Sequence, residues 1–198
     1  MKLLVVYCHP CSESFGASIR DTALRALDKA GHEVRLIDLY AQGFNPVMSA
    51  EERRGYHEPG SNEAPVAEHL AQLRWCEGLI FIHPTWWYGP PAMLKGWLER
   101  VWVPHATFTM PENGKAIGPV LTQIRLLGVI STLGSPWWWW TLFMKAPGRN
   151  ILLRGLKSLC APRCRTMWLA LHRLDETTEK QRCYFLAKVE KRLASLKN

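Results

Sequence analysis

The sequence predicts an α/β three-layer sandwich built on a five-stranded parallel sheet, and three observations carry that prediction. Short apolar or β-branched runs alternate with stretches whose apolar residues recur at helical spacing. The strand-like runs lack the polar alternation of a half-exposed sheet, as strands covered on both faces do. The chain has 198 residues, 47% hydrophobic and 21% charged, the composition of one soluble globular domain spanning 1–198 with a single sizeable core.

Lys2–Tyr7 opens the series as an apolar strand. After the loop 8–15, Ile19, Ala23, Leu24, Leu27 and Ala30 recur at helical spacing, and Gly31 supplies the stop. Glu33–Asp38 is the second strand, and 39–54 reads as irregular, broken by Gly43 and Pro46. A helix over 64–77, through Val66, Leu70, Leu73 and Trp75, leads to the third strand, 78–83. Pro91 suits a first helical turn, and 92–102 follows as an amphipathic helix. Stretches 126–131 and Arg165–Leu171 are the fourth and fifth strands, with a helix around 150–159 between them. The closing segment, 175–196, puts Phe185, Leu186, Val189, Leu193 and Leu196 on one helical face. Five strands in this alternation predict the flavodoxin-like order 2-1-3-4-5, in which ligands bind beyond the carboxyl ends of the strands beside the first.

That topology singles out three loops. His9 to Ala17 is serine-rich and runs into a helix, so hydroxyls and backbone N–H groups gather at the positive end of a helix dipole, which suits a phosphate. Ser12 or Ser14 acting simply as the helix cap is the alternative. After the third strand, Pro84, Thr85, Trp86, Trp87 and Tyr88 place aromatic rings where core packing explains them poorly, as the wall of a flat pocket. After the fourth, Ser131, Thr132, Leu133 and Gly134 form a polar turn whose glycine permits close backbone approach. A phosphate cradle, an aromatic wall and a polar edge are what a flavin mononucleotide needs.

The stretch Pro84-x-x-Trp87-Tyr88-Gly89-x-Pro91-Ala92-x-Leu94-Lys95-Gly96-Trp97-x-Glu99-Arg100-Val101 resembles the flavodoxin-like NAD(P)H:quinone oxidoreductase family. That family includes animal quinone reductases and ancillary proteins of bacterial potassium efflux systems. His9-Pro10 with Ser14-Phe15, Gly31-His32-Glu33-Val34, Asp38-Leu39-Tyr40 and Phe44-Asn45-Pro46 extend the resemblance over residues 1 to about 134. It implies that His9, Ser14, Phe15 and Gly16 line the phosphate or ribityl region of the flavin. It further implies that Pro84, Thr85, Trp86, Trp87 and Tyr88 border the isoalloxazine ring, and that Ser131, Thr132, Leu133 and Gly134 meet its polar edge. The implied cofactor is FMN or FAD, with NAD(P)H as electron donor and a quinone as acceptor, each taking its turn on one flavin face. A homodimer goes with it, and an ancillary protein contacting a membrane system is the other reading; a cytoplasmic location is the default expectation from the lack of a signal-peptide or membrane-spanning run.

The chain departs from the family at three places. Gly16 stands where the family usually has Asn, and Leu133 replaces one glycine of the usual Thr-Thr-Gly-Gly loop. Animal members carry a Tyr and a His shortly after that loop, where this chain has Trp137, Trp138, Trp139 and Trp140. No catalytic acid is therefore assigned, and the redox chemistry is left to the cofactor.

Those four indoles belong to a lopsided second half. Residues 1–100 hold 10 Lys/Arg against 12 Asp/Glu, whereas 101–198 hold 15 against 5. Consecutive tryptophans cannot all face one core, so some meet the pocket, a dimer partner or a lipid headgroup layer, with Lys145, Arg149, Arg154 and Lys157 close behind. No apolar run is long enough to span a bilayer, and the first apolar run is too short for a signal peptide. The six cysteines show no secreted-scaffold spacing. Cys160, Cys164 and His172 lack a fourth ligand for a structural zinc site, Cys8-x-x-Cys11 has the spacing of a redox dithiol, and no nucleic-acid-binding motif is present.

Overall fold

The computed structural model describes residues 1–198 apart from 113, 115, 197 and 198. Its strands are β1 (Lys2–Tyr7), β2 (Glu33–Asp38), β3 (Gly78–Pro84), β4 (Phe108–Thr109), β5 (Gly118–Pro119), β6 (Leu126–Thr132) and β7 (Arg165–Leu171). Its α-helices are α1 (Phe15–Lys29), α2 (Ala50–Arg54), α3 (Ala67–Trp75), α4 (Ala92–Val101), α5 (Pro147–Asn150) and α6 (Glu179–Ala194). The five longer strands form one parallel sheet of order β2-β1-β3-β6-β7, the predicted 2-1-3-4-5 when the long strands alone are counted. β4 and β5 form a separate antiparallel ribbon, too short for any sequence period to reveal.

Alternation along the strands divides one apolar set between two layers. Leu4, Val6, Leu79, Phe81, Leu127 and Val129 point to the layer of α3, α4 and the segment 152–160. Leu3, Val5, Tyr7, Ile80, Ile82 and Ile130 point to the layer of α1 and α6. Every residue of β3 and β6 is buried, which is why these strands read as unbroken apolar runs.

Local chemistry sets the ends of α1. Ser14 caps it by accepting the Ala17 N–H, and Gly31 at φ +75° ends it while the His32 N–H reaches back to Leu27 O at 3.1 Å. Gly96 marks a close approach of α4 to the loop after β2, since a Cβ there would lie 2.2 Å from Pro46 O.

The structure corrects four stretches of the sequence reading. The supposedly irregular 39–54 contains α2, opened by a capping box in which Ser49 and Glu52 satisfy each other's backbone N–H groups. The helix expected over 64–77 begins as a 3₁₀ turn, Ala64–Val66, continues as α3 and ends at Trp75. The expected helix around 150–159 is α5 followed by a π-helical turn, Ile151–Gly155, and a 3₁₀ turn, Leu156–Leu159. The closing helix starts later than read, at Glu179, where Thr178 caps it.

Candidate functional site

The carboxyl ends of β3, β6 and β7 enclose a two-lobed cleft. One lobe, about 390 Å³, is lined by Pro84, Thr85, Trp86, Trp87, Thr132, Leu133, Gly134, Leu174 and Asp175. The other, about 250 Å³, shares Thr85, Trp87, Leu133 and Gly134 with it and adds Tyr88 and Ser135. Parallel strands all present their carboxyl ends on this side, so side chains distant in sequence meet here.

A network of short bonds builds the floor. The Thr85 N–H donates to Thr132 O at 2.7 Å, and the Thr85 and Ser131 hydroxyls lie 2.8 Å apart. Ser131, Thr132 and Leu133 are buried, whereas Gly134 is open, a Cβ there reaching within 3.4 Å of the Asp175 carboxylate. Just beneath, the His83 ring donates from Nδ1 to Pro84 O at 2.8 Å. Its Nε2 is then a buried acceptor without a partner among the described residues, and burial pushes its pKa down to about 4.

One wall is a strained turn. Trp86 and Gly89 exchange both backbone hydrogen bonds at 3.1 Å, and the two residues between them, Trp87 and Tyr88, sit at φ 47° and 64°. Both central residues at positive φ is the pattern of a type I′ turn, which normally takes Asn or Gly; bulky side chains there are strained. The Trp87 and Tyr88 N–H groups have no partner among the described residues.

The tryptophan run supports this turn. The Trp139 indole N–H donates to the Tyr88 hydroxyl at 3.2 Å, while the Trp140 indole and the Gly148 N–H both donate to Tyr88 O, at 3.4 and 3.2 Å. Trp140 stacks on Trp168 with centroids 5.0 Å apart and planes 8° from parallel. Trp137 and Trp138 face outward with Leu142 and Phe143, so the run divides between packing and surface.

The first loop adjoins the cleft without lining either lobe. The His9 ring lies 6.1 Å from that of Trp86, and a Cβ on Gly16 would lie 3.5 Å from the His9 ring. His9 Nδ1 accepts the Cys11 N–H at 3.0 Å, which fixes the neutral ring with its proton on Nε2, a donor facing outward. Ser14 Oγ is 3.4 Å from the Tyr7 hydroxyl, and burial raises the Tyr7 pKa, keeping that phenol protonated. The Phe15 ring turns away to pack on Phe185, so only its main chain faces the loop. Arg20 approaches the same end, 4.8 Å over the Tyr7 ring, but Asp21 and Asp38 compensate its charge. The attraction of an anion here therefore rests on the open N–H groups of the first turn of α1.

Reading three loops left out the fourth. Leu174 and Asp175, after β7, and Ser135 line the cleft, and His172 joins its rim by donating from Nδ1 to Ser135 O at 3.3 Å. The rule that ligands meet the carboxyl ends of all strands, applied to the fifth, would have found them. His172 cannot join Cys160 and Cys164 on one ion, because the whole length of β7 lies between Cys164 and His172. The Cys8 thiol is buried in the core with its pKa pushed up to about 12, while Cys11 is exposed, so the two do not form a surface dithiol.

The cleft fits a flat group with a polar edge. Trp86, Trp87 and Tyr88 line it, the Trp87 and Tyr88 N–H groups have no partner among the described residues, and the loop before α1 approaches it through His9, whose ring is 6.1 Å from that of Trp86.

A family model described as flavodoxin-like fold matches residues 1–157. The chain is 35% identical over 150 residues to NAD(P)H dehydrogenase [quinone] 1 of Rattus norvegicus, covering 68% of this chain and 54% of that one. It superposes on the crystal structure of Smu.1420 from Streptococcus mutans UA159 with a TM-score of 0.85, at 28% identity over 99% of this chain and all of the other. It shares its fold with an FMN-dependent NADH-azoreductase from Bacillus anthracis str. Ames Ancestor in complex with FMN, with a TM-score of 0.78 at 16% identity over 100% of this chain and 99% of the other. The chain spans about half the length of the curated relatives it matches. With more than half of its residues under the family model, the chain belongs to the Flavodoxin_2 family of flavodoxin-like folds.

Proposed function

We propose that the chain is a flavin-dependent NAD(P)H:acceptor oxidoreductase that reduces quinones, with FMN as its flavin. The observation that carries this reading is the strained turn 86–89, which places two unpaired N–H groups and three aromatic residues, Trp86, Trp87 and Tyr88, at a two-lobed cleft. Its similarity to the rat quinone dehydrogenase supports the same activity.

When bound, FMN supplies a two-electron carrier that accepts hydride from NAD(P)H and passes it to the quinone. The chain's residues bind and orient. The turn N–H groups of Trp87 and Tyr88 meet the polar rim of the ring, and Gly134 lets the opposite edge approach the backbone. Ser14, Gly16 and the first-turn N–H groups of α1 receive the phosphate, with the His9 Nε2 proton beside it. Trp87, 96% exposed, leaves one ring face open for donor and acceptor in turn.

A second copy of the chain completes the site in this reading. Exposed Trp137, Trp138, Leu142 and Phe143 extend the aromatic surface beside Trp87, an apolar patch of the kind that marks an interface. The same patch, with Lys145 and Arg149 nearby, favours as second reading an ancillary role on a membrane system with little turnover. Among the described residues no helix is long and apolar enough to cross a membrane. The cytoplasm is the proposed compartment.

Reconstitution with FMN tests the proposal. Stoichiometric uptake, bleaching of the flavin by NADH or NADPH and recovery on adding a quinone are the expected results. Failure to bind flavin overturns the reading; bleaching without quinone turnover turns it toward the ancillary role.

A further inference from the structure

The loop after β7 brings a charge into the cleft. Arg173 takes a left-handed conformation, φ 53°, and main-chain bonds tie the loop to the end of β6. The Leu133 N–H donates to Leu171 O at 2.8 Å, the Leu174 N–H to Leu133 O at 2.9 Å and the Arg173 N–H to Ser135 O at 3.4 Å. A 3₁₀ turn, Leu174–Glu176, follows, with the Thr177 hydroxyl donating to Leu174 O at 2.6 Å. Asp175 in this turn lies beside Gly134, where an added Cβ would sit 3.4 Å from Asp175 Oδ2.

Among the described residues that line either lobe, Asp175 alone is charged. Its carboxylate makes no hydrogen bond or ion pair among the described residues. The other charges of its loop cancel, because Arg173 pairs with Glu176 at 3.4 Å. His172 is neutral at pH 7, since burial lowers its pKa. The whole chain carries +8, so an anion drawn to its surface is still opposed, at the cleft, by this fixed negative charge.

We propose that Asp175 determines acceptor specificity by opposing acceptors with a negative group on their rings, so that the acceptor class is the uncharged quinones. The inference deepens the flavin reading and rests on it. An anionic acceptor entering the larger lobe brings like charges together in a cleft where protein displaces part of the water. An uncharged quinone of the same shape meets no such opposition. Discrimination then comes from disfavouring the wrong ligand rather than from holding the right one more tightly. Asp175 is exposed, so the effect is a modest factor that falls with salt.

Paired ligands that differ by one charge test it on the FMN-loaded chain. Steady-state kcat/KM is measured for a naphthoquinone and its monosulfonate. Affinities for the unreactive pair naphthalenesulfonamide and naphthalenesulfonate are read from the shift in flavin absorbance. In D175N the anionic-to-neutral ratio, for kcat/KM and for affinity alike, is expected to rise about fivefold at low ionic strength. In about 0.5 M salt that gain should shrink below about twofold, whereas a change of shape alone would persist. D175E, which keeps the charge, should stay nearer the wild-type ratios than D175N. Ratios unchanged in D175N, a gain that survives salt, or D175E matching D175N overturns the proposal. So does a D175N chain that takes up no FMN, which would assign the carboxylate to the flavin's own site. A wild-type chain that takes up no FMN overturns the flavin reading and this inference with it, a failure seen in the absorbance spectrum before any acceptor is added.

Discussion

Two tryptophan-rich segments meet at the cleft and behave in opposite ways. Trp87 is 96% exposed on a turn with two left-handed residues, whereas Trp140 is 1% exposed and stacked on Trp168. The side chain is the same; its surroundings differ. A two-residue turn at the end of β3 has no layer above it, while the segment after β6 folds down onto Trp168 and His172 of the neighbouring strand end. The turn carries strain and open N–H groups, and buried Trp140 supplies packing that keeps it in place. Strain of this kind persists only where surrounding contacts over-determine it.

The largest test of that division is Trp140→Ala. Removing a buried indole with its stack and its bond to Tyr88 O should destabilise the chain by about 3–5 kcal/mol and weaken flavin binding as the turn relaxes, read by urea unfolding and flavin titration. If stability falls but flavin affinity does not, the support of the turn is not what Trp140 provides.

The next effect lies beneath the same turn, at His83. Its imidazole is buried and neutral, with a pKa pushed down to about 4 from 6.5, so protons bind the unfolded chain more tightly than the folded one. Its contribution is fully present above pH 6.5, declines as pH falls below that and is gone below pH 4, amounting to about 3 kcal/mol across the window. His83→Phe should flatten this part of the pH dependence, measured as urea midpoints at several pH values between 7.5 and 4. An unchanged slope would assign the acid sensitivity to other groups.

The smallest expected effect comes from the exposed partner. Trp87→Gly removes little packing and relieves a positive-φ side chain, so stability should hold or rise by up to about 1 kcal/mol, while quinone turnover falls because the cleft loses a wall. Thermal unfolding and steady-state rates measure the two sides. A large loss of stability would erase the contrast between the two segments.

Much of this architecture was legible in the sequence because burial on both faces leaves an unmistakable apolar run. β1 and β3 show it, and Ser14 and Gly31 bracket α1 with local chemistry alone. α2 was legible too, since Ser49 and Glu52 carry the capping-box spacing, but Gly43 and Pro46 nearby suggested a loop. The π-helical turns around 139–143 and 151–155 were not, because no residue period in the sequence marks them.

The candidate site divides along the same line. Trp86, Trp87 and Tyr88 were recognisable from the motif that contains them, yet the positive φ values of Trp87 and Tyr88 and the support from Trp139, Trp140 and Gly148 depend on contacts distant in sequence. Asp175 and His172 reach the cleft because parallel strands end together, and Arg125 and Arg165 meet at the opposite end because they begin together. The sequence by itself determined which segments become strands and helices, since each follows from local spacing, capping and burial. Which side chains become neighbours was decided by the tertiary structure, because strand register and layer packing act between residues that no local pattern connects.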